Sequence, residues 1–154
     1  MYNTLKLIIN ADISLSVFLY RYSIRHHWVR CGFWASRLGD GWLYALIYLY
    51  IRRCLGEIAL ATNVAEAVLL AWGACGVVKM VMRRKRPQRT AARMNHSFPS
   101  QHTAVAMAVA SVVGGPWAWG LAVGVAVGRV LCGAHWVGDV VAGAMIGVGV
   151  GRWI

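Results

Sequence analysis

Lys79 and Arg86 stand seven positions apart in "KMVMRRKRP". On a helix that spacing is almost two turns, about 10 Å, so both long side chains share a face and can reach one anion. Pro87 disfavours helical backbone at Arg86, so the helix should end there and free the guanidinium to turn inward. Arg129 supplies a third cation, and three cations with forked donors suit a phosphate dianion. Ser100, in "SFPSQHTAVAMAV", sits where a helix N-cap belongs. The backbone N–H groups that follow, from Gln101 on, make a ready anion site. In "GRVLCGAHWVGD", His135 and Asp139 are i and i+4, neighbours on one helix face. A carboxylate against one imidazole nitrogen fixes the tautomer and leaves the other nitrogen nucleophilic. His102 is then placed to give a proton to a leaving oxygen.

Each residue also has a plainer explanation when taken singly. Lys79 can snorkel at a helix end, and the arginines after it can hold anionic headgroups. Ser100 can be only an N-cap and Asp139 only a complement to a helix N-terminus. No plainer explanation covers the arrival of all seven residues at one place, and the chain's organisation demands that arrival.

The 154 residues suffice for a single domain, 1–154, and 59% of them are apolar against 14% charged, too greasy for a soluble globule. The net charge is nevertheless +11, with sixteen Lys and Arg against five acids. Because the basic residues fall between apolar runs, anionic lipids or a phosphorylated ligand fit better than nucleic acid. No signal-peptide pattern is seen, and the four cysteines are scattered without metal-like spacing. Residues 1–37 read as an interfacial segment, with an amphipathic helix over Leu5–Tyr20 followed by a basic stretch carrying Trp28 and Trp34. Residues 38–154 read as a polytopic, all-α transmembrane bundle of about five spans: Trp42–Ile51, Glu57–Val78, Gln101–Gly114, Trp117–Val130 and Trp136–Ile154. Small residues repeat every four positions at Ala106, Ala110 and Gly114, at Gly120, Gly124 and Gly128, and at Gly143, Gly147 and Gly151, which favours close helix packing. Thr62, Asn63 and Glu66 suggest a polar patch facing the bundle interior, since a lipid-facing charge is expensive.

Following the ends of these runs gathers the site. The second span ends near Lys79 and the third starts near Ser100 on the same face. The chain turns at Gly114-Gly115-Pro116 and returns near Arg129, and the last span leaves from there at His135. Connectivity therefore brings Lys79, Arg86, Ser100, His102, Arg129, His135 and Asp139 together.

Three segments, "KMVMRRKRP", "PSQH" and "GRVLCGAHWVGD", resemble the signature of the type 2 phosphatidate phosphatase superfamily: K-x6-RP, PSGH and SR-x5-H-x3-D. The match spans 79–139. The resemblance implies that Lys79, Arg86 and Arg129 bind phosphate with help from Ser100. It also implies that His135 is the nucleophile oriented by Asp139, that His102 is the general acid, and that no metal or other cofactor is used. Two positions depart: Gln101 replaces the glycine of PSGH, its backbone N–H still able to reach phosphate, and Gly128 replaces the serine before Arg129.

The expected activity is thus hydrolysis of a lipid phosphate or diphosphate through a phosphohistidine, in a multi-pass protein of the bacterial inner membrane. The lipid and the oligomeric state stay open. So does the membrane face: thirteen Lys and Arg on the active-site side against three opposite argue for the cytoplasm, whereas bacterial relatives of the family more often face outward. Three other readings compete: a vanadium haloperoxidase of the same superfamily, a non-catalytic protein binding or moving anionic lipids, and a metal site of His96, His102 and His135.

Overall fold

The computed structural model describes residues 2–87 and 96–154; Arg89 and Arg93 of the basic loop lie outside them. The described residues form seven helices and no strand: α1 Tyr2–Arg25, α2 Val29–Arg37, α3 Gly41–Tyr50, α4 Ile58–Met82, α5 Gln101–Val113, α6 Gly115–Leu131 and α7 Val137–Trp153. A π-helical turn, Ile51–Leu55, prolongs α3 and closes at Gly56, whose φ of +73° suits glycine. α4 stops at Met82, four residues before Arg86, with Arg83 in the left-handed region.

The centre of the bundle is α5, in which every residue from Thr103 to Ala110 is buried. Its alternating alanines keep it thin enough for α4, α6 and α7 to surround it. The α7 glycine stripe decides the closest of these contacts. A Cβ at Gly143, Gly147 or Gly151 would strike the carbonyl oxygens of Ser100, Ala104 and Ala108 in turn, one helical turn apart. Gly128 has a comparable task against α2, where a Cβ would meet Gly32 O at 2.7 Å and Ser36 N at 2.9 Å. Gly120 and Gly124 have nothing within 4 Å and serve no such contact.

Residues 1–37, expected as an interfacial segment, dock on the bundle: Ser23 of α1 donates to Leu131 O at 2.7 Å, and α2 packs on α6 through the Gly32–Gly128 contact. Two expectations need correction. By length and composition, two described helices can cross a bilayer, Lys6–Arg25 of α1 and Ile58–Met82 of α4. The five expected spans are therefore not matched, because α3, α5, α6 and α7 run to 10, 13, 17 and 17 residues, short of the ~20 that a 30 Å core requires of an upright helix. Glu66 and Thr62 are exposed on α4 and do not face the interior; Thr62 bonds only its own helix, at Ile58 O.

Candidate active site

The sequence-derived residues sit on four helix ends that meet at one end of the bundle. Lys79 comes from the last turn of α4, His102 from the first turn of α5, Arg129 from the last turn of α6, and Asp139 from the first turn of α7. Arg86 and His135 lie in the connections beside them. Arg129 O accepts from the backbone N–H groups of Ala134 and His135 at 3.1 and 3.2 Å, folding the α6–α7 turn back onto the site. Ser100 N–H donates to Asp139 O at 2.9 Å and fastens the start of α5 to the start of α7.

His135 is 1% exposed and Asp139 fully buried. His135 Nε2 lies 3.3 Å from Arg86 Nη1, which also donates to Ala134 O at 3.1 Å. A guanidinium has only donors, so Nε2 must be the acceptor and the neutral ring carries its proton on Nδ1. Nδ1 faces Asp139 Oδ2 at 3.5 Å, long and not well aligned for a full hydrogen bond. Such contacts commonly tighten when substrate binds. Burial pushes the His135 pKa down to about 4; the Asp139 carboxylate opposes that fall, while the Arg129 and Arg86 charges add to it. The imidazole is therefore neutral near pH 7, the state a nucleophilic role would need. Protonation would favour the unfolded chain, so this histidine's contribution to stability is complete above pH 6.5 and is lost as pH falls toward 4.

His102 faces a different carboxylate. Its Nε2 lies 3.2 Å from Asp40 Oδ1, and Asp40 Oδ2 is held by Arg37 Nε at 2.9 Å. Asp40 stands in the N-cap position of α3 but makes no side-chain cap bond there, so its carboxylate is directed to the histidine. Gly39 lets this segment approach: a Cβ there would come within 3.1 and 3.2 Å of His102 Cβ and Cδ2, and within 2.8 Å of Val125.

Lys79 Nζ is 3.4 Å from Gln101 Oε1, and Gln101 Nε2 donates to Trp72 O at 2.9 Å. The side chain that replaces the expected glycine thus ties α5 to α4. Ser100 Oγ pairs with Thr103 Oγ1 at 2.9 Å, and no side chain caps α5; its first N–H groups keep the character of an anion site. Arg129 Nε is buried with no protein partner among the described residues. His96, His102 and His135 do not form a metal-holding group.

Three partners escaped the sequence reading: Asp12, Asp40 and Arg84. Arg84, counted merely among the loop cations, donates to Asp139 Oδ1 at 2.8 Å and to Asp12 Oδ2 at 2.6 Å. One signal pointed at them: the chain has only five acids, and Asp12, Asp40 and Asp139 all meet this cluster.

If Asp40 supports an acid role of His102, removing its charge should hurt poor leaving groups most. Asp40→Asn is expected to lose roughly tenfold or more in kcat on an alkyl lipid phosphate and little on p-nitrophenyl phosphate. Equal losses on both substrates would remove the role.

Cations, an uncapped helix start and two histidine–carboxylate pairs gather at one end of an all-helical frame, an arrangement whose chemistry suits a phosphate. The PAP2 superfamily model matches residues 60–154, and the chain belongs to that superfamily. LpxE from Aquifex aeolicus shares the fold, with a TM-score of 0.63 and 25% identity over 90% of this chain and 84% of that one. Comparison with curated protein sequences gave no match. Family and fold together support a phosphatase.

Proposed function

We propose that the protein is an integral membrane lipid phosphatase that hydrolyses a lipid phosphate or diphosphate through a phosphohistidine, without a metal. Lys79, Arg86 and Arg129, together with the start of α5 at Ser100 and Gln101, hold the phosphoryl oxygens. They stabilise charge there, most of what phosphoryl transfer asks of a protein. His135 Nε2 attacks phosphorus in line, the P–O bond to the leaving group breaks, and His102 gives its proton to the departing oxygen. Water then attacks phosphorus, its proton passing to His102, the P–N bond breaks with His135 Nε2 as leaving group, and phosphate departs with His135 restored. The observation that carries this reading is the buried His135, with Nε2 turned to Arg86 and Nδ1 to Asp139.

A lipid substrate is supported by what surrounds the site. A groove of about 440 Å³ beside Lys79 and Gln101 is walled by Trp72, Val77 and Met80. The outside of the bundle is apolar: Val81 is 76% exposed, Met145 71% and Leu69 68%, surface that water would penalise and acyl chains would cover. This surface, with α1 and α4, supports insertion in a membrane, and on this reading the protein is a multi-pass protein of the bacterial inner membrane.

The test is phosphate release from purified lipid monophosphates and diphosphates in detergent, with a chelator present. Release that vanadate blocks is expected. Release only after a divalent ion is restored, or none from any of these lipids, would contradict the proposal.

A further inference from the structure

Asp139 poses a problem that its own helix does not solve. A fully buried carboxylate needs charge compensation and hydrogen bonds on both oxygens. Oδ2 has the Trp136 N–H at 3.0 Å and His135 Nδ1 at 3.5 Å. Oδ1 has only Arg84 Nη1, at 2.8 Å, among the described residues. Arg84 is not one of the three signature cations, and it is held from every side. Its guanidinium lies 5.4 Å over the Trp136 ring, its carbonyl accepts from Ser97 N–H at 2.7 Å, and its Nη2 donates to Asp12 Oδ2 at 2.6 Å.

Asp12 brings α1 into the site. Its Oδ1 accepts from Gly138 N–H at 2.8 Å, and a Cβ on Gly138 would press to 3.0 Å of Oδ2. One turn on, Ser16 Oγ accepts from Val137 N–H at 2.8 Å while donating to Asp12 O at 2.7 Å. α1 therefore satisfies the free N–H groups at the start of α7, and the same aspartate steadies the arginine that reaches Asp139.

We infer that Arg84, fixed by Asp12 of α1, is a positioning residue that holds Asp139 as the acceptor for His135 Nδ1–H. Its planar fork gives each carboxylate its own fixed nitrogen, Nη1 to Asp139 and Nη2 to Asp12, a geometry that a lysine ammonium does not reproduce. With Arg84 removed, Asp139 Oδ1 has no partner, so the carboxylate takes up a proton or turns away. Either outcome withdraws the acceptor that keeps the proton on Nδ1 and the lone pair on Nε2. Lys79, Arg86 and Arg129 remain for the phosphate, so binding should be spared. The kinetic side of this inference rests on the proposed phosphatase activity; the tautomer side does not.

The experiment compares wild type, Arg84→Met, Arg84→Lys and Asp12→Asn in detergent. Arg84→Met is expected to lose roughly 10- to 100-fold in kcat, with KM and vanadate inhibition moved less than about threefold. Arg84→Lys should recover part of the loss. Asp12→Asn should lose less than Arg84→Met, because asparagine still accepts from Gly138 N–H. Combined with Asp139→Asn, Arg84→Met should cost little more than Asp139→Asn alone, since both act through one contact. Nitrogen-15 NMR of labelled histidine, with the His135 signal assigned from His135→Gln, should show Nδ1 protonated in wild type and a tautomer mixture in Arg84→Met. An unchanged tautomer would overturn the inference. So would a vanadate affinity that falls in step with kcat, marking Arg84 as a phosphate ligand, or losses that multiply with Asp139→Asn. Failure of wild type to release phosphate from any lipid would remove the phosphatase reading and leave the tautomer measurement to decide this one.

Discussion

His135→Ala should abolish turnover, with a loss on the order of 10⁴-fold or more, as for other enzymes that lose a nucleophile. The reason lies in the division of labour. In the proposed mechanism the cations and the start of α5 bind phosphate whether or not His135 is present, so vanadate should still bind while kcat vanishes. A binding role for His135 would show the opposite pattern, a raised KM with kcat kept. Asp139→Asn should be milder: the amide keeps the shape and loses the charge, leaving slow turnover by the minority tautomer. A His135→Ala enzyme within a few-fold of wild type, in a protein of unchanged thermal stability, would remove the nucleophile assignment.

Arg86→Ala should cost about 10²- to 10³-fold in kcat, the usual range for one preorganised donor aimed at developing charge. Arg86 is the cation in direct contact with the proposed nucleophile, 3.3 Å from His135 Nε2. In the proposed mechanism its guanidinium guards the lone pair before substrate arrives and then donates to the phosphoryl oxygens that replace it. Arg86→Lys should recover only part of the rate, because an ammonium cannot hold Ala134 O and a phosphoryl oxygen in the same planar geometry. Steady-state rates at saturating lipid, with vanadate inhibition alongside, check this. A kcat unchanged by Arg86→Ala would place the arginine outside the reaction.

Much of the site was legible because connectivity alone collects it. An apolar helix ending at Lys79, another beginning at Ser100 and a third ending near Arg129 leave no choice about which ends meet. The α7 glycines were legible for a similar reason: a residue without a side chain every four positions permits a backbone to approach, and Ser100, Ala104 and Ala108 take that place. Glu66, Gly120 and Gly124 were misread by the same kind of pattern. In a bundle whose outer surface is as apolar as its core, hydrophobic periodicity does not separate inside from outside. Polar or small residues on one stripe then mark a face without saying which way it points. Asp12, Asp40 and Arg84 were missed for another reason. Their roles depend on how α1 docks on α7 and how the segment before α3 lies against His102. Those contacts join residues 55 to 126 positions apart, and local spacing carries no record of them. The scarcity of acids was the one usable clue, since a buried carboxylate among sixteen cations is seldom idle.

The central claim is that phosphate passes through His135, and the most direct measurement is to catch it there. Wild type and His102→Ala would be mixed with a lipid substrate labelled in its phosphate, quenched in base within milliseconds to seconds, and mapped by mass spectrometry. The account predicts a label that survives base and is lost in acid, as a phosphoramidate is. It should sit on His135, build up further in His102→Ala, where hydrolysis of the intermediate is slowed, and be absent from His135→Ala. Phosphate released with no label at any time, or a label on His102, a hydroxyl or a carboxylate, would contradict it.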